Sequence, residues 1–216
     1  MTAASLTEIP VAIQNSRLMS QGGFNVYEGL HDRVFFQQLI AEAQAQYGAA
    51  TACDVAIHDG EEIRGGVPER RFLSSSGSVV QDSFYWAPWV LDLLRDLTSP
   101  ELVPSGKRGT YSYYHRQGDF LGIHRDIEAC DVAVITCLID GVSKRNDSGS
   151  LCLYPSRLAE PLSHVRSTPE KDALKLHLSV GQTIIMYGGL IPHTLLPVSA
   201  GESRVVSVLC YHIPQS

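Results

Sequence analysis

The chain has 216 residues, 44% of them hydrophobic and 19% charged, with a formal net charge of −6. That length is enough to bury a full core, and residues 1–216 read as a single domain with generous loops. The mildly acidic balance, with no basic stripe, excludes a partner bound through phosphate neutralisation, so no nucleic acid is expected.

The opening MTAASLTEIPVAIQNSRLMSQ has no basic region followed by an apolar core, and no stretch approaches eighteen apolar residues, so neither an export signal nor a membrane partner is expected. Cys53, Cys130, Cys137, Cys152 and Cys210 are odd in number and contain no Cys-x-x-Cys. They read as small core hydrophobes in a reducing cytoplasm rather than a disulfide framework.

In chain order, DRVFFQQLIAEAQAQY (32–47) places Asp32 as an N-cap before Phe35, Leu39 and Ala43 at helical spacing, with Gly48 as the stop. HDGEEIRGGVPERRFLSSSGS (58–78) is polar and glycine-rich and reads as a mobile loop, a lid in character. WAPWVLDLLRDL (86–97) predicts a second helix with Pro88 in its first turn and Trp89, Leu93 and Leu97 as the buried stripe. Residues 1–100 are thus helical support and lid.

From Thr110 onward the pattern is β. TYSYYHR, DVAVITCLI, SGSLCLYP, LKLHLSV, QTIIMYG and SRVVSVLCYHI are short runs rich in Val, Ile, Thr and Tyr, broken by Gly, Asp, Pro and Ser. DVAVITCLI is apolar on both faces and predicts a central strand, whereas LKLHLSV alternates and predicts one wet face. Strands after helices suggest a mainly β fold with flanking α, an antiparallel sandwich or barrel over 110–212.

Within this half, DFLGIHRD (119–126) puts His124 and Asp126 two positions apart, on one face of an extended chain. His-x-Asp alone is weak. Its company is His193 in GGLIPHTLLPV, 67 positions after Asp126 and preceded by a Gly188-Gly189 turn. Two imidazoles and one carboxylate form a facial triad that leaves the far side of an octahedral ion open, which suggests Fe(II). Arg204, eleven positions after His193, shares a strand face with Val206 and Val208. A guanidinium over an apolar wall needs an anion. Tyr114, ten positions before His124, can add a phenolic hydrogen bond to a bound carboxylate.

These residues, together with SGSLCLYP and GQTIIMYGG, resemble the iron(II)- and 2-oxoglutarate-dependent dioxygenases, the prolyl-hydroxylase-like branch above all, over residues 110–212. The resemblance implies a double-stranded β-helix, also called a jelly roll or cupin-like fold, with His124, Asp126 and His193 as catalytic iron ligands. It further implies that Arg204, with Tyr114, holds the C5 carboxylate of 2-oxoglutarate, and that O2 is the oxidant. Hydroxylation, with release of succinate and CO2, is the expected outcome; the carboxylate of Asp126 stands where halogenating members have a small residue. The gap of eleven residues before Arg204, and Ser207 three beyond it, depart from the pattern of many members.

The substrate expected is a small molecule, such as an amino acid or a natural-product intermediate, with Arg116 as a contact because strand parity puts it on Tyr114's face. Peptidyl (prolyl) hydroxylation is the alternative, and a non-catalytic jelly-roll binding module is the alternative of another class. His115, His164, His177 and His212 read as surface or strand-face histidines, and His58, Arg64, Arg70 and Arg71 as solvated members of the lid loop. The oligomeric state is not legible.

Overall fold

The computed structural model describes residues 9–58, 63–99, 101–106, 109–143 and 146–214. The first elements are two short helices, α1 (Val11–Gln14) and α2 (Arg17–Ser20), then strand β1 (Phe24–Tyr27) and helix α3 (Arg33–Gln46). Each of two starts has a side-chain cap: Ser16 Oγ accepts from the Met19 N–H at 3.1 Å, and Asp32 Oδ1 accepts from the Phe35 N–H at 2.9 Å. The expected cap at Asp32 and the buried Leu39 and Ala43 are therefore present.

Strands β2 (Thr51–Val55) and β3 (Arg70–Ser76) precede helices α4 (Val79–Tyr85) and α5 (Pro88–Leu97). There follow β4 (Val103–Pro104), β5 (Thr110–Tyr114), β6 (Phe120–His124), β7 (Val132–Asp140) and β8 (Leu151–Leu153). Helix α6 (Leu162–Ser167), β9 (Leu174–Leu176), β10 (Thr183–Met186), β11 (His193–Leu195) and β12 (Arg204–His212) complete the chain.

Twelve strands form one sheet in the order β1-β10-β7-β12-β5-β3-β6-β11-β8-β9, with β2 added to β3 and β4 to β12. The sheet is curled on itself, as its side-chain clusters show. Ala133 and Cys137 of β7 and Ile184 and Met186 of β10 share a cluster with Leu151 and Leu153 of β8, which lies far along the strand order. Phe72, Tyr114 and Val206 meet Leu195 of β11 in a second interior cluster. This is the jelly-roll core.

The alternate residues of β7, Val132 and Val134, face outward against Phe84, Val90, Leu94 and Leu97 of the helices. Such two-faced burial is why DVAVITCLI is apolar throughout, and β7 sits between β10 and β12 as a central strand should. β9 is at the sheet's end, and its successive residues Leu174 and Lys175, which lie on opposite faces, are both exposed, so the alternation expected of LKLHLSV does not appear as one wet face. Among the described residues, no helix is long and apolar enough to cross a membrane.

Three further sequence expectations are corrected. The 58–78 stretch is not one loop, because Arg70–Ser76 forms β3, inserted between β5 and β6. RRFLSSS has no β-branched residue, but Ser75 Oγ and Tyr113 Oη are 2.9 Å apart and the backbone is paired on both sides, so tertiary context overrides propensity. Residues 59–62 of the lid lie outside the described residues. The first hundred residues thus supply strands as well as helices.

The second correction is one of register. The helix expected over 86–97 runs from Pro88, and its buried stripe is Val90, Leu94 and Leu97, while Trp89 is 49% exposed. Trp89 instead meets Phe84 edge-on, with ring centroids 5.5 Å apart. Third, Cys130 and Cys210 are not independent core thiols but form a disulfide; Cys53, Cys137 and Cys152 are free.

Candidate metal centre and its surroundings

β6 and β11 are antiparallel neighbours in which His124 and His193 are register partners. Directly opposed residues present their side chains on the same face, and the two imidazole centroids are 4.2 Å apart. The chain then leaves β6, and the Asp126 N–H donates to the Gly188 carbonyl at 2.8 Å. This brings Asp126 Oδ1 to 3.4 Å from His124 Nε2 and 3.7 Å from His193 Nε2. One ligand atom from each residue lies within 4.8 Å of the others, a set that can hold a metal ion.

The tautomers follow from the backbone. His124 Nδ1 is 2.9 Å from the Gly122 carbonyl oxygen, and His193 Nδ1 is 2.8 Å from that of Ile191. A carbonyl oxygen only accepts, so each Nδ1 carries the proton and each Nε2 keeps a lone pair toward Asp126. Metal-binding histidines are oriented in the same way, by a hydrogen bond on the nitrogen away from the ion.

Charge states agree with this geometry. Burial, reinforced by the neighbouring His124, lowers the His193 pKa to about 4, so its imidazole is neutral at pH 7. Burial pushes the Asp126 carboxyl up, but the neighbouring His193, His124 and Arg64 together hold it below the usual carboxylate range. Neutral imidazoles and an ionised carboxylate are the forms that bind cations.

Two supports for Asp126 were not legible as such in the sequence. At Gly188, a Cβ would stand 1.9 Å from Asp126 Oδ2, so only glycine leaves room for the carboxylate. Arg64, expected to be a solvated loop residue, is instead a clamp. Its Nε donates to the Asp126 carbonyl at 2.9 Å, Nη2 to the Ile127 carbonyl at 2.7 Å, and Nη1 pairs with Asp131 Oδ1 at 2.7 Å.

Arg125, between the two ligands, points away from them as strand parity requires. Its guanidinium donates to the carbonyls of Leu190, Ile63, Leu158 and Glu160 at 2.6–2.9 Å.

Arg204 opens β12, with Tyr114 of β5 and Asp140 of β7 as its register partners. Only 1% exposed, it donates from Nη1 to the Gly149 carbonyl at 3.0 Å and from Nη2 to the Leu178 carbonyl. The anion that a buried guanidinium requires is present in part: Asp140 Oδ1 is 3.7 Å from Nη1. Val206 lies two residues on in an interior cluster with Tyr114, Leu195 and Ile135. Tyr114 is buried against Phe72, with ring centroids 5.1 Å apart. Burial pushes its phenol well above the ordinary value, which keeps it a neutral donor.

Arg116 goes elsewhere. β5 ends at Tyr114, so parity no longer governs position 116, and the guanidinium pairs with Asp119 Oδ1 at 2.9 Å and Asp54 Oδ1 at 3.0 Å on an exposed turn. It is not brought to the triad. Arg71 is also engaged, with the Gln117 carbonyl and Asp119. His177, read as a strand-face residue, has its Nε2 2.9 Å from Asp140 Oδ2, which connects it to Arg204.

A cavity of about 620 Å³ has Ile13, Arg64, Arg125, Tyr187 and Leu190 among its lining residues, and Ile13 and Tyr187 belong to the cluster packed under the helices. The three candidate ligands are not in that lining, and Arg125, which is, points away from them.

The sequence matches no family model and no curated protein. Solved structures do match. A prolyl-4-hydroxylase from Pseudomonas putida aligns at 14% identity and TM-score 0.62, over 92% of this chain and 96% of that one. SnoN, a non-heme alpha-ketoglutarate-dependent epimerase from nogalamycin biosynthesis, aligns at 15% identity and TM-score 0.68, over 94% and 82%. HygX from Streptomyces hygroscopicus, with nickel and 2-oxoglutarate bound, aligns at 12% identity and TM-score 0.64, over 90% and 84%. With a curled antiparallel sheet, and with His124, Asp126 and His193 gathered where β6 meets β11, this chain has the jelly-roll fold of the iron(II)- and 2-oxoglutarate-dependent oxygenases.

Proposed function

We propose that the protein is an iron(II)- and 2-oxoglutarate-dependent oxygenase that oxidises an unactivated C–H bond of a small molecule. The observation that carries this reading is the triad itself: two imidazoles with both Nδ1 atoms tied to carbonyls, and an anionic Asp126 seated against Gly188. Bound at these three ligands, iron(II) would, with 2-oxoglutarate and O2, supply the oxidising power and release succinate and CO2.

The chain's own residues then have distinct tasks. His124, Asp126 and His193 hold the metal from one face. Arg204, with Tyr114 as a neutral hydrogen-bond donor, takes the distal carboxylate of the co-substrate, and Ile135, Leu195 and Val206 keep water from it. Arg64 holds the Asp126 segment in place.

The fold relatives include both kinds of enzyme, since SnoN comes from nogalamycin biosynthesis and the Pseudomonas putida protein is a prolyl-4-hydroxylase. Residues 1–216 are taken as one catalytic domain.

The test is iron-dependent conversion of 2-oxoglutarate to succinate under air, with amino acids, natural products and proline-containing peptides offered in turn. Stimulation by a small molecule, absent in His124→Ala and Asp126→Ala, is the expected result. Stimulation by peptides alone would reassign the substrate. Undiminished turnover in either variant would remove the triad from the chemistry.

A further inference from the structure

The co-substrate arginine has an unexpected neighbour. Asp140, 6% exposed in its side chain, places Oδ1 3.7 Å from Arg204 Nη1, and this oxygen is buried with no hydrogen-bond partner. Its other oxygen meets His177 Nε2 at 2.9 Å. The His177 side chain is 17% exposed, just beyond the edge strand β9, and the next residue's carbonyl, that of Leu178, accepts from Arg204 Nη2. Arg204, Asp140 and His177 therefore form one buried relay of cation, anion and imidazole.

Resting on the oxygenase reading, we propose that Asp140, backed by His177, is a specificity and positioning element of the co-substrate site: a carboxylate can bind at Arg204 only as the Asp140–His177 pair takes up a proton. With His177 neutral, Arg204 and Asp140 cancel. A carboxylate arriving at Arg204 would leave two anions against one guanidinium in a site nearly closed to water, an arrangement that is strongly unfavourable at low effective dielectric. A second proton on His177, taken at Nδ1, which is buried without a hydrogen-bond partner, restores neutrality, and an imidazole is the side chain that exchanges such a proton near neutral pH.

The other groups around this relay do not supply the charge. Cys137, whose Sγ is 3.7 Å from Arg204 Nη2, and Tyr114, the arginine's register partner, both have burial holding them in their neutral forms. Lys175, two residues before His177, is engaged with Asp147 at 2.9 Å and Glu170 at 3.1 Å. Asp140 meets both Arg204 and His177, and it is the Arg204–Asp140 balance that the ligand upsets.

The experiment is calorimetric titration of the intact protein, loaded with Mn(II) in place of iron, with 2-oxoglutarate in buffers of differing ionisation heat. Wild type should take up close to one proton per ligand near pH 8, and its affinity should fall about tenfold per pH unit above the imidazole's titration. Asp140→Asn, which keeps an acceptor for His177, should bind several-fold more tightly, with no proton uptake and no pH dependence. His177→Gln should lose the uptake and bind at pH 6.5 as weakly as wild type does at high pH. Binding of 2-oxoglutarate to wild type without proton uptake, or weaker binding in Asp140→Asn, would overturn this inference and leave the oxygenase reading standing. No 2-oxoglutarate binding at any pH, in wild type and both variants, would overturn the reading itself and the inference with it.

Discussion

His124 and His193 face each other across two antiparallel strands, and each donates its Nδ1 proton to the carbonyl of the residue two positions earlier. Both lone pairs are thereby fixed toward Asp126 before any ion arrives. Such preorganisation means that metal affinity should depend on residues that never touch the metal.

Gly188 is the sharpest case. In Gly188→Ala the new methyl would stand 1.9 Å from Asp126 Oδ2, and the carboxylate must turn out of the site. Affinity for a divalent cation, read by competition with a chromophoric chelator, is expected to fall about 10- to 100-fold while the melting temperature changes little. Unchanged affinity would mean that Asp126 is not a ligand.

Arg64 supports the same carboxylate through the backbone. Its guanidinium spans the Asp126 carbonyl, the Ile127 carbonyl and Asp131, a fork that one ammonium group cannot reproduce. Arg64→Lys and Arg64→Ala are both expected to weaken metal binding about tenfold, with Lys giving little rescue. Full rescue by Lys would reduce the role of Arg64 to charge alone.

A different histidine sets the acid limit of the fold. His31 packs tilted against Phe84, with ring centroids 4.4 Å apart, and burial lowers its pKa from 6.5 to about 4, against a smaller opposing effect of Asp32. Above pH 6.5 neither folded nor unfolded chain protonates this imidazole. As the pH falls from 6.5 toward 4 the unfolded chain takes up the proton first, so stability is lost over that window. The loss from this group reaches at most about 3 kcal/mol, and His31→Phe should flatten the slope of the urea midpoint against pH between those values. An unaltered slope would place the acid sensitivity elsewhere.

The Cys130–Cys210 bridge ties the segment after Asp126 to β12 across 80 residues of sequence. Closing a loop of that length restricts the unfolded chain by about 4 kcal/mol in the chain-entropy picture. Cys130→Ser with Cys210→Ser should lower the melting temperature to that of the reduced wild type, and reductant should not alter the double variant. Equal melting of oxidised and reduced wild type would count against the bridge in solution.

How far the sequence carries can be seen from these same residues. His124 and Asp126 are legible because a spacing of two puts both on one side of an extended chain, although β6 itself ends at His124, and His193 and Arg204 because short β runs with clear punctuation bracket them. Arg64, Gly188 and Asp140 were not legible in these roles, since each matters only through a contact with a segment more than sixty residues away. β3 was hidden by its serines, and the Cys130–Cys210 pair by its lack of any diagnostic spacing. Arg116 misled for a local reason: β5 ends two residues before it, and the parity argument ends there.

The central claim is that His124, Asp126 and His193 hold an iron(II) ion to which 2-oxoglutarate is delivered. Anaerobic addition of Fe(II) and 2-oxoglutarate, followed by visible absorption, tests it most directly. Wild type is expected to develop the metal-to-ligand charge-transfer band of an iron–2-oxoglutarate chelate, and Asp126→Ala and His193→Ala to develop none. A band of equal strength in either variant, or none in a wild type shown to have bound iron, would contradict the account.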